Sequence, residues 1–258
     1  MNFSREKLKF LTLSFTGVLV FLVLWEIVSV LHLIPSFFLP SPKAVFESLV
    51  FLFKKGNLAG DIGISLFRII VGFLLSIAVS LPLGIIFGIS RKGKAVMEPL
   101  VAFIRYVPRS AFIPLIIVWF GVGEFGKVFL IFFGVAPYLT LLIADIIHAV
   151  PRDIIEASVT LGATKWNTIF RVILPYSMPA IWDSFRIMLG AAWTFVIIAE
   201  IVGSSSGLGH LMIESQRFLR TDNIFAGILV IGVLGILTDL FFRYTAKILF
   251  PWNTKTYA

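Results

Sequence analysis

Apolar residues run through this chain in long unbroken stretches, and charged residues collect in the short segments between them. A helix needs about 20 apolar residues to cross a bilayer core of about 30 Å, because every backbone polar group inside hydrocarbon must be paired. Transmembrane strands would alternate apolar and polar positions, and these runs do not. The pattern predicts six spanning helices, over about 10–34, 64–90, 97–120, 128–150, 179–202 and 224–242. The first holds only Glu26 and His32 and ends in the Pro-rich stretch 35–42. The second is free of charge from Ile69 to Ser90, and its Gly84 and Gly88 form a small-xxx-small pair suited to close helix approach. The third contains Arg105, Pro108, Arg109 and Pro114, so it is predicted to be broken and to face protein.

Two segments outside these runs carry helical signals of their own. Between Ser41 and Leu58, Val45, Leu49, Leu52 and Phe53 recur at helical spacing among Lys43, Glu47, Lys54 and Lys55, which predicts an interfacial amphipathic helix. In 151–176, Pro151 suits a helix start, Asp153 complements the positive end of the helix, and Gly162 sits where a left-handed residue would stop it. A second short helix is predicted from Thr164 to Pro175, giving a helix-turn-helix hairpin, with the next span starting after Pro179.

Composition narrows the class. With 59% hydrophobic and 14% charged residues, the 258-residue chain lies far from soluble usage and has room for one transmembrane domain, 1–258, with no separate catalytic domain. The formal charge of +8 does not form one basic face, which argues against a nucleic-acid partner. Its Lys and Arg group at the N-terminus, at Arg91/Lys92/Lys94, at Arg152/Lys165/Arg171 and near the C-terminus. The positive-inside rule therefore places both termini and 151–176 in the cytoplasm, with 35–62, 121–127 and 203–222 outside. Cysteine is absent, which removes disulfides, thiol nucleophiles and Cys-based metal sites. The run Leu11–Ile34 is too long for a signal peptide and no A-x-A-like site follows it.

The segment 151–175 resembles the EAA loop of binding-protein-dependent ABC importer permeases. That pattern is Glu-Ala-Ala, three residues, Gly, nine residues, Ile, one residue, Leu-Pro. This chain supplies Glu156, Ala157, Ser158, Gly162, Val172, Leu174 and Pro175 at the same spacing, with Ser158 for the second Ala and Val172 for Ile. Leu24-Trp25-Glu26, Pro40-Ser41-Pro42, the stretch 113–121 and the stretch 207–222 extend the resemblance to the nitrate, sulfonate, taurine and bicarbonate branch. The resemblance implies an all-α type I importer permease fold with a cytoplasmic coupling-helix hairpin in an inner (cytoplasmic) membrane. It also implies a second permease copy forming a homodimer, two cytoplasmic ABC ATPases that carry ATP and Mg, and an extracytoplasmic binding protein. The chain itself would hold no cofactor or metal and catalyse no covalent step. Glu156, Ala157, Ser158, Gly162, Leu174 and Pro175 are the coupling-loop candidates. For a small oxyanion, Arg105, Trp193, Glu200 and Ser204, with the Gly203–Ser206 break, are the candidate translocation path, because an anion leaving water needs a cation or helix N-terminus.

Other motifs read more plainly as structure. Gly121-Val-Gly123-Glu-Phe-Gly126-Lys127-Val128 matches G-x-G-x-x-G but has Val128 where a P-loop needs Ser or Thr, and no strand precedes it, so it is predicted to be a turn. Asp145 and His148 lack a third ligand. Asp183 and Arg186, ionisable residues in or beside the fifth span, read either as functional groups or as inter-subunit or inter-helix pairing. An ion-coupled secondary transporter is the alternative, but no acidic or His relay and no inverted repeat is visible. An intramembrane enzyme is a weak third reading, since no H-E-x-x-H or nucleophile–base spacing is visible with His32, His148 and His210.

Overall fold

The computed structural model describes residues 2–253, and side chains at all of these but 2–11, 14, 91, 94, 97, 100–102, 105 and 109. Among the described residues every regular element is a helix. In chain order these are α1 (Asn2–Val30), α2 (Pro42–Lys54), α3 (Leu58–Ile89), α4 (Arg91–Tyr106), a 3-10 turn (Arg109–Phe112), α5 (Ile113–Phe120), α6 (Glu124–His148), α7 (Arg152–Thr160) and α8 (Lys165–Thr168). A π turn (Ile169–Ile173), α9 (Leu174–Gly203), α10 (Leu208–Arg217) and α11 (Thr221–Leu249) complete them. Four stretches among the described residues are long and apolar enough to cross a bilayer, namely α3, α6, the continuous helix Lys165–Gly203 and α11. Two further apolar stretches, Phe15–Val30 and Ser110–Phe120, are shorter. The second of these is short because the predicted break is real. Pro108 forces Val107 out of the helical region, to φ −75° and ψ 127°, and α4 ends there.

The chain forms two compact units, one from the residues up to Ala59 with Leu211–Val230, the other from Gly60–His210 with Ile231 onward. In the first unit, the α2 predicted from its periodicity begins at Pro42 behind a Ser41 cap whose side chain accepts from the Ala44 N–H at 3.1 Å. Val45, Ser48 and Leu52 form its buried face, and Ser48 donates to Asn223 at 2.7 Å. Trp25 donates its indole N–H to the Pro40 carbonyl at 3.0 Å and packs against Phe225. Arg220 forks the Asp222 carboxylate at 2.9 and 3.1 Å, which raises the guanidinium pKa further.

In the second unit, α3 packs on α6 through residues four apart: Gly72, Ser76, Ser80, Gly84 and Gly88. A Cβ on Gly84 would lie 2.6 Å from the Ile143 Cβ, and one on Gly88 2.6 Å from the Ile147 Cβ, so the backbones meet where only glycine fits. Between them Ser80 donates to the Ala136 carbonyl at 2.8 Å. The pair Gly84/Gly88 is thus one end of a longer small-residue ridge, the i±4 row that meets a neighbouring helix. On the other side of α6, Gly134 faces the Phe195 ring of α9. Ile131, Leu139, Ile143, Ile181, Ala192 and Val196 are fully buried between these helices. Trp182 on α9 donates to the Phe242 carbonyl of α11 at 3.2 Å and packs on its ring. Arg186 bonds Asp183 at 2.9 Å and Asp239 of α11 at 3.1 Å, so of the readings open for it the structure shows pairing between helices of one chain.

Candidate functional site

The hairpin is built as its sequence suggests. Pro151 sits at the N-cap and α7 follows, with Asp153 in its first turn. The helix stops at Gly162, whose φ of +84° lies in the left-handed region. The Gly162 N–H donates to the Val159 carbonyl at 2.9 Å and the Ala163 N–H to Ser158 at 3.0 Å, the paired bonds of a Schellman termination. Thr164 then caps α8, its hydroxyl accepting from the Asn167 N–H at 3.4 Å. Ser158 and Thr168 hold the two arms together. Both are buried, their hydroxyls lie 3.3 Å apart, and Ser158 also donates to the Ile155 carbonyl at 2.7 Å.

The second arm differs from expectation in one respect. It does not stop at Pro175 but runs as one 39-residue helix, Lys165–Gly203. Proline would clash with the carbonyl four residues back in a regular helix. Here the turn before it is widened into a π turn, with the Leu174 N–H donating to the Ile169 carbonyl five residues back, and the chain passes through. At 1.5 Å per residue, this single rod is roughly 58 Å long. Glu156 and Ala157 are exposed on α7, Leu174 is half-buried and Pro175 exposed at the start of α9. The tip shows large apolar side chains to solvent, with Leu161 88%, Trp166 70% and Phe170 59% exposed and the last two rings stacked.

At the other end of the rod lies an ion cluster centred on the buried pair Arg68 and Glu200, with Glu124 at its exposed edge. Arg68 of α3, 1% exposed, donates to Glu200 of α9 at 2.8 Å and bidentately to Glu124 of α6 at 2.6 and 2.7 Å. Lys127 adds a bond to Glu124 at 2.9 Å. The chain between α9 and α10 is tied into the same cluster. Arg68 donates to the Ser206 carbonyl, the Gly207 N–H to Asp61 at 2.7 Å, the Leu208 N–H to Ser65 at 3.0 Å and the Gly209 N–H to Glu200 at 2.8 Å. Acidic and hydroxyl oxygens thus satisfy the backbone donors that open α10, where the helix is electropositive.

Of the four path candidates, Glu200 is fully buried inside this cluster, and Ser204 begins the loop it anchors, bonding Ser206 at 2.5 Å. Trp193 is 6% exposed on α9, and its indole N–H has no partner among the described residues. Arg105 lies on α4, with its side chain outside the described residues. Arg68, Ser65, Asp61, Glu124 and Lys127 were not among the sequence candidates, although Arg68 standing alone within the apolar run Ile62–Ile86 was a legible signal. The G-x-G-x-x-G stretch is a turn, with Gly121 at φ +71°, and its Glu124 and Lys127 serve the cluster. Among the described residues no three His, Cys, Asp or Glu side chains gather as metal ligands.

Comparison with known proteins agrees with this architecture. Residues 80–251 match the family of the binding-protein-dependent transport system inner membrane component. The taurine transport system permease protein of Escherichia coli (strain K12) is 34% identical over 94% of this chain and 90% of its own length. A putative aliphatic sulfonates transport permease protein of Bacillus subtilis (strain 168) is 34% identical over 92% of this chain and 86% of its own. The bicarbonate transport system permease protein of Synechococcus elongatus is 29% identical over 94% and 91%. Among solved structures, an inward-facing MetNI methionine ABC transporter chain superposes with a TM-score of 0.66 at 20% identity, covering 74% of this chain and 95% of that one. An amino acid ABC transporter chain gives 0.59 at 18% identity, covering 78% and 96%. The chain therefore belongs to the binding-protein-dependent transport system inner membrane component family, has the type I ABC importer permease fold, and is the membrane-embedded permease subunit of an ATP-driven importer.

Proposed function

We propose that the chain imports a small oxyanion of the sulfonate, taurine or bicarbonate class. On this reading it is one half of a homodimer with two ATPases on the cytoplasmic side and a binding protein outside. The exposed, rigidly capped hairpin carries the proposal. Leu161, Trp166 and Phe170 form an exposed apolar knob on the hairpin, which suits a groove on a partner better than water. Glu156 and Ala157 lie exposed on the same hairpin and supply charged and close-packed contact, while Gly162, Ser158, Leu174 and Pro175 set its shape. ATP and Mg are held by the ATPases, which do the hydrolysis, and movement of their grooves displaces the hairpin. Because α8 and α9 are one helix, that displacement is carried to the far end at Glu200 without a joint.

The substrate preference rests on the names of the taurine, sulfonate and bicarbonate relatives. The path assignment follows the same geometry. Glu200 is saturated by Arg68, Ser65 and Gly209 and serves as an anchor, leaving the Ser204–Ser206 loop and Arg105 as the groups offered to an anion. Both termini and the hairpin are placed in the cytoplasm, with six crossings counting the two shorter apolar stretches.

The test is to coexpress the chain with its ATPase and binding protein. Glu156→Lys and Gly162→Trp should abolish uptake, or release the ATPase on purification. Normal uptake and copurification in both variants would remove the coupling assignment.

A further inference from the structure

Beside the hairpin, a cleft of about 500 Å³ opens between α7, α8 and the ends of α3 and α6. Three basic side chains line it, His148, Arg152 and Lys165, all exposed. No carboxylate lines it, and none of the three has an ion-pair or hydrogen-bond partner among the described residues. Neither Asp153 nor Glu156, the nearest acids on α7, is part of the lining. The rest of the wall is aliphatic or glycine apart from Thr168, with Ile147, Ile155 and Ile169 prominent.

The position of the cleft is as informative as its composition. The apolar spans α3 and α6 end at Ile89 and His148, and both ends line the cleft. That is the level at which hydrocarbon gives way to headgroups. Unpaired cations at a protein surface attract counterions, and here Arg152 and Lys165, with the imidazole of His148, ring a volume that is apolar on its inner side. Water fills such a space poorly and a free inorganic anion would leave the aliphatic wall unsatisfied. A molecule with an anionic head and an apolar body satisfies both.

We propose that this cleft seats an anionic phospholipid of the adjacent leaflet, its phosphate held by Arg152, Lys165 and His148 and its upper acyl segments laid against Ile147, Ile155 and Ile169. Each Lys or Arg near an anionic leaflet favours it by roughly fivefold, and basic pockets between membrane helices bind acidic head groups. The bound lipid would fill the space behind the hairpin and brace it against the ends of α3 and α6. The inference rests on the membrane placement of α3 and α6 and not on the coupling assignment, so either can fail alone.

The intact transporter, released from phosphatidylglycerol/phosphatidylcholine nanodiscs, is examined by native mass spectrometry. Wild type should retain phosphatidylglycerol over phosphatidylcholine, and the double variant Arg152→Gln/Lys165→Gln should lose that preference at least fivefold. Lys43→Gln, a control cation in the other compact unit, should keep it. Equal phosphatidylglycerol retention in wild type and the double variant overturns the proposal. So does wild type that retains no lipid yet binds inorganic phosphate at millimolar concentration, since the source is then a free anion. Should the double variant not assemble, wild type is photolabelled with diazirine-tagged phosphatidylglycerol. Label concentrated in peptides within 147–173, and displaced by untagged phosphatidylglycerol but not phosphatidylcholine, supports the site. Label confined to the spanning helices contradicts it.

Discussion

Glu200 shows how much one side chain can hold. Its carboxylate accepts from Arg68, Ser65 and Gly209, so truncation leaves a buried guanidinium short of one partner and two further donors unpaired. Removing one member of a buried pair is destabilising by about 3–5 kcal/mol, and Glu200→Ala should lower the thermal midpoint of the purified protein accordingly. Glu200→Gln, which keeps an acceptor for Ser65, should lose clearly less. Equal losses would mean that the charge alone, and not the retained acceptor, carries the stabilisation. At the α3–α6 contact, Gly84→Val should cost about 1–3 kcal/mol by driving a side chain into Ile143, whereas Ile86→Val on the exposed side of α3 should be nearly silent. These residues also mark what the sequence could disclose. Gly84 and Gly88 were legible because small-xxx-small is a local spacing. Arg68 was visible as a charge inside an apolar run, but its partners stand 56 and 132 positions away, and no local pattern joins them.

Among the elements, the hairpin was the most legible, because its punctuation is chemical: Pro151, Gly162 and Thr164 each act within a turn of themselves. Pro175 was misleading for the same reason. Taken alone it stops a helix, and only the π turn before it, with the Leu174 N–H bonded to the Ile169 carbonyl, lets the helix continue. The left-handed Gly162 permits a discriminating pair of variants. A β-branched residue is strained there by about 1–2 kcal/mol or more, while Asn tolerates that region. Gly162→Val should therefore reduce ATPase copurification and uptake, and Gly162→Asn should restore most of both. If Val and Asn behave alike, the turn geometry is not what matters. Span boundaries were less legible, since apolar runs fix where a helix can lie in a membrane but not where hydrogen bonding ends. The α3 helix starts at Leu58, before the expected 64, and α9 extends back through the hairpin arm.

For the whole molecule, the absence of cysteine makes orientation directly measurable. Single variants Leu161→Cys at the hairpin tip and Phe218→Cys after α10 occupy exposed positions, 88% and 72% accessible. In intact cells a membrane-impermeant maleimide should label Phe218→Cys and spare Leu161→Cys, and permeabilisation should expose the latter. The reverse pattern would invert the topology. The central claim is that ATP hydrolysis on partner subunits moves a small anion through this chain by way of its hairpin. Its most direct test is uptake of radiolabelled taurine, an alkanesulfonate or bicarbonate into proteoliposomes holding the permease and ATPase, with binding protein outside and ATP trapped within. The account predicts uptake of one of these anions that requires ATP and the binding protein together and is lost in Gly162→Trp. Uptake that persists without the ATPase and follows an imposed ion gradient would contradict it.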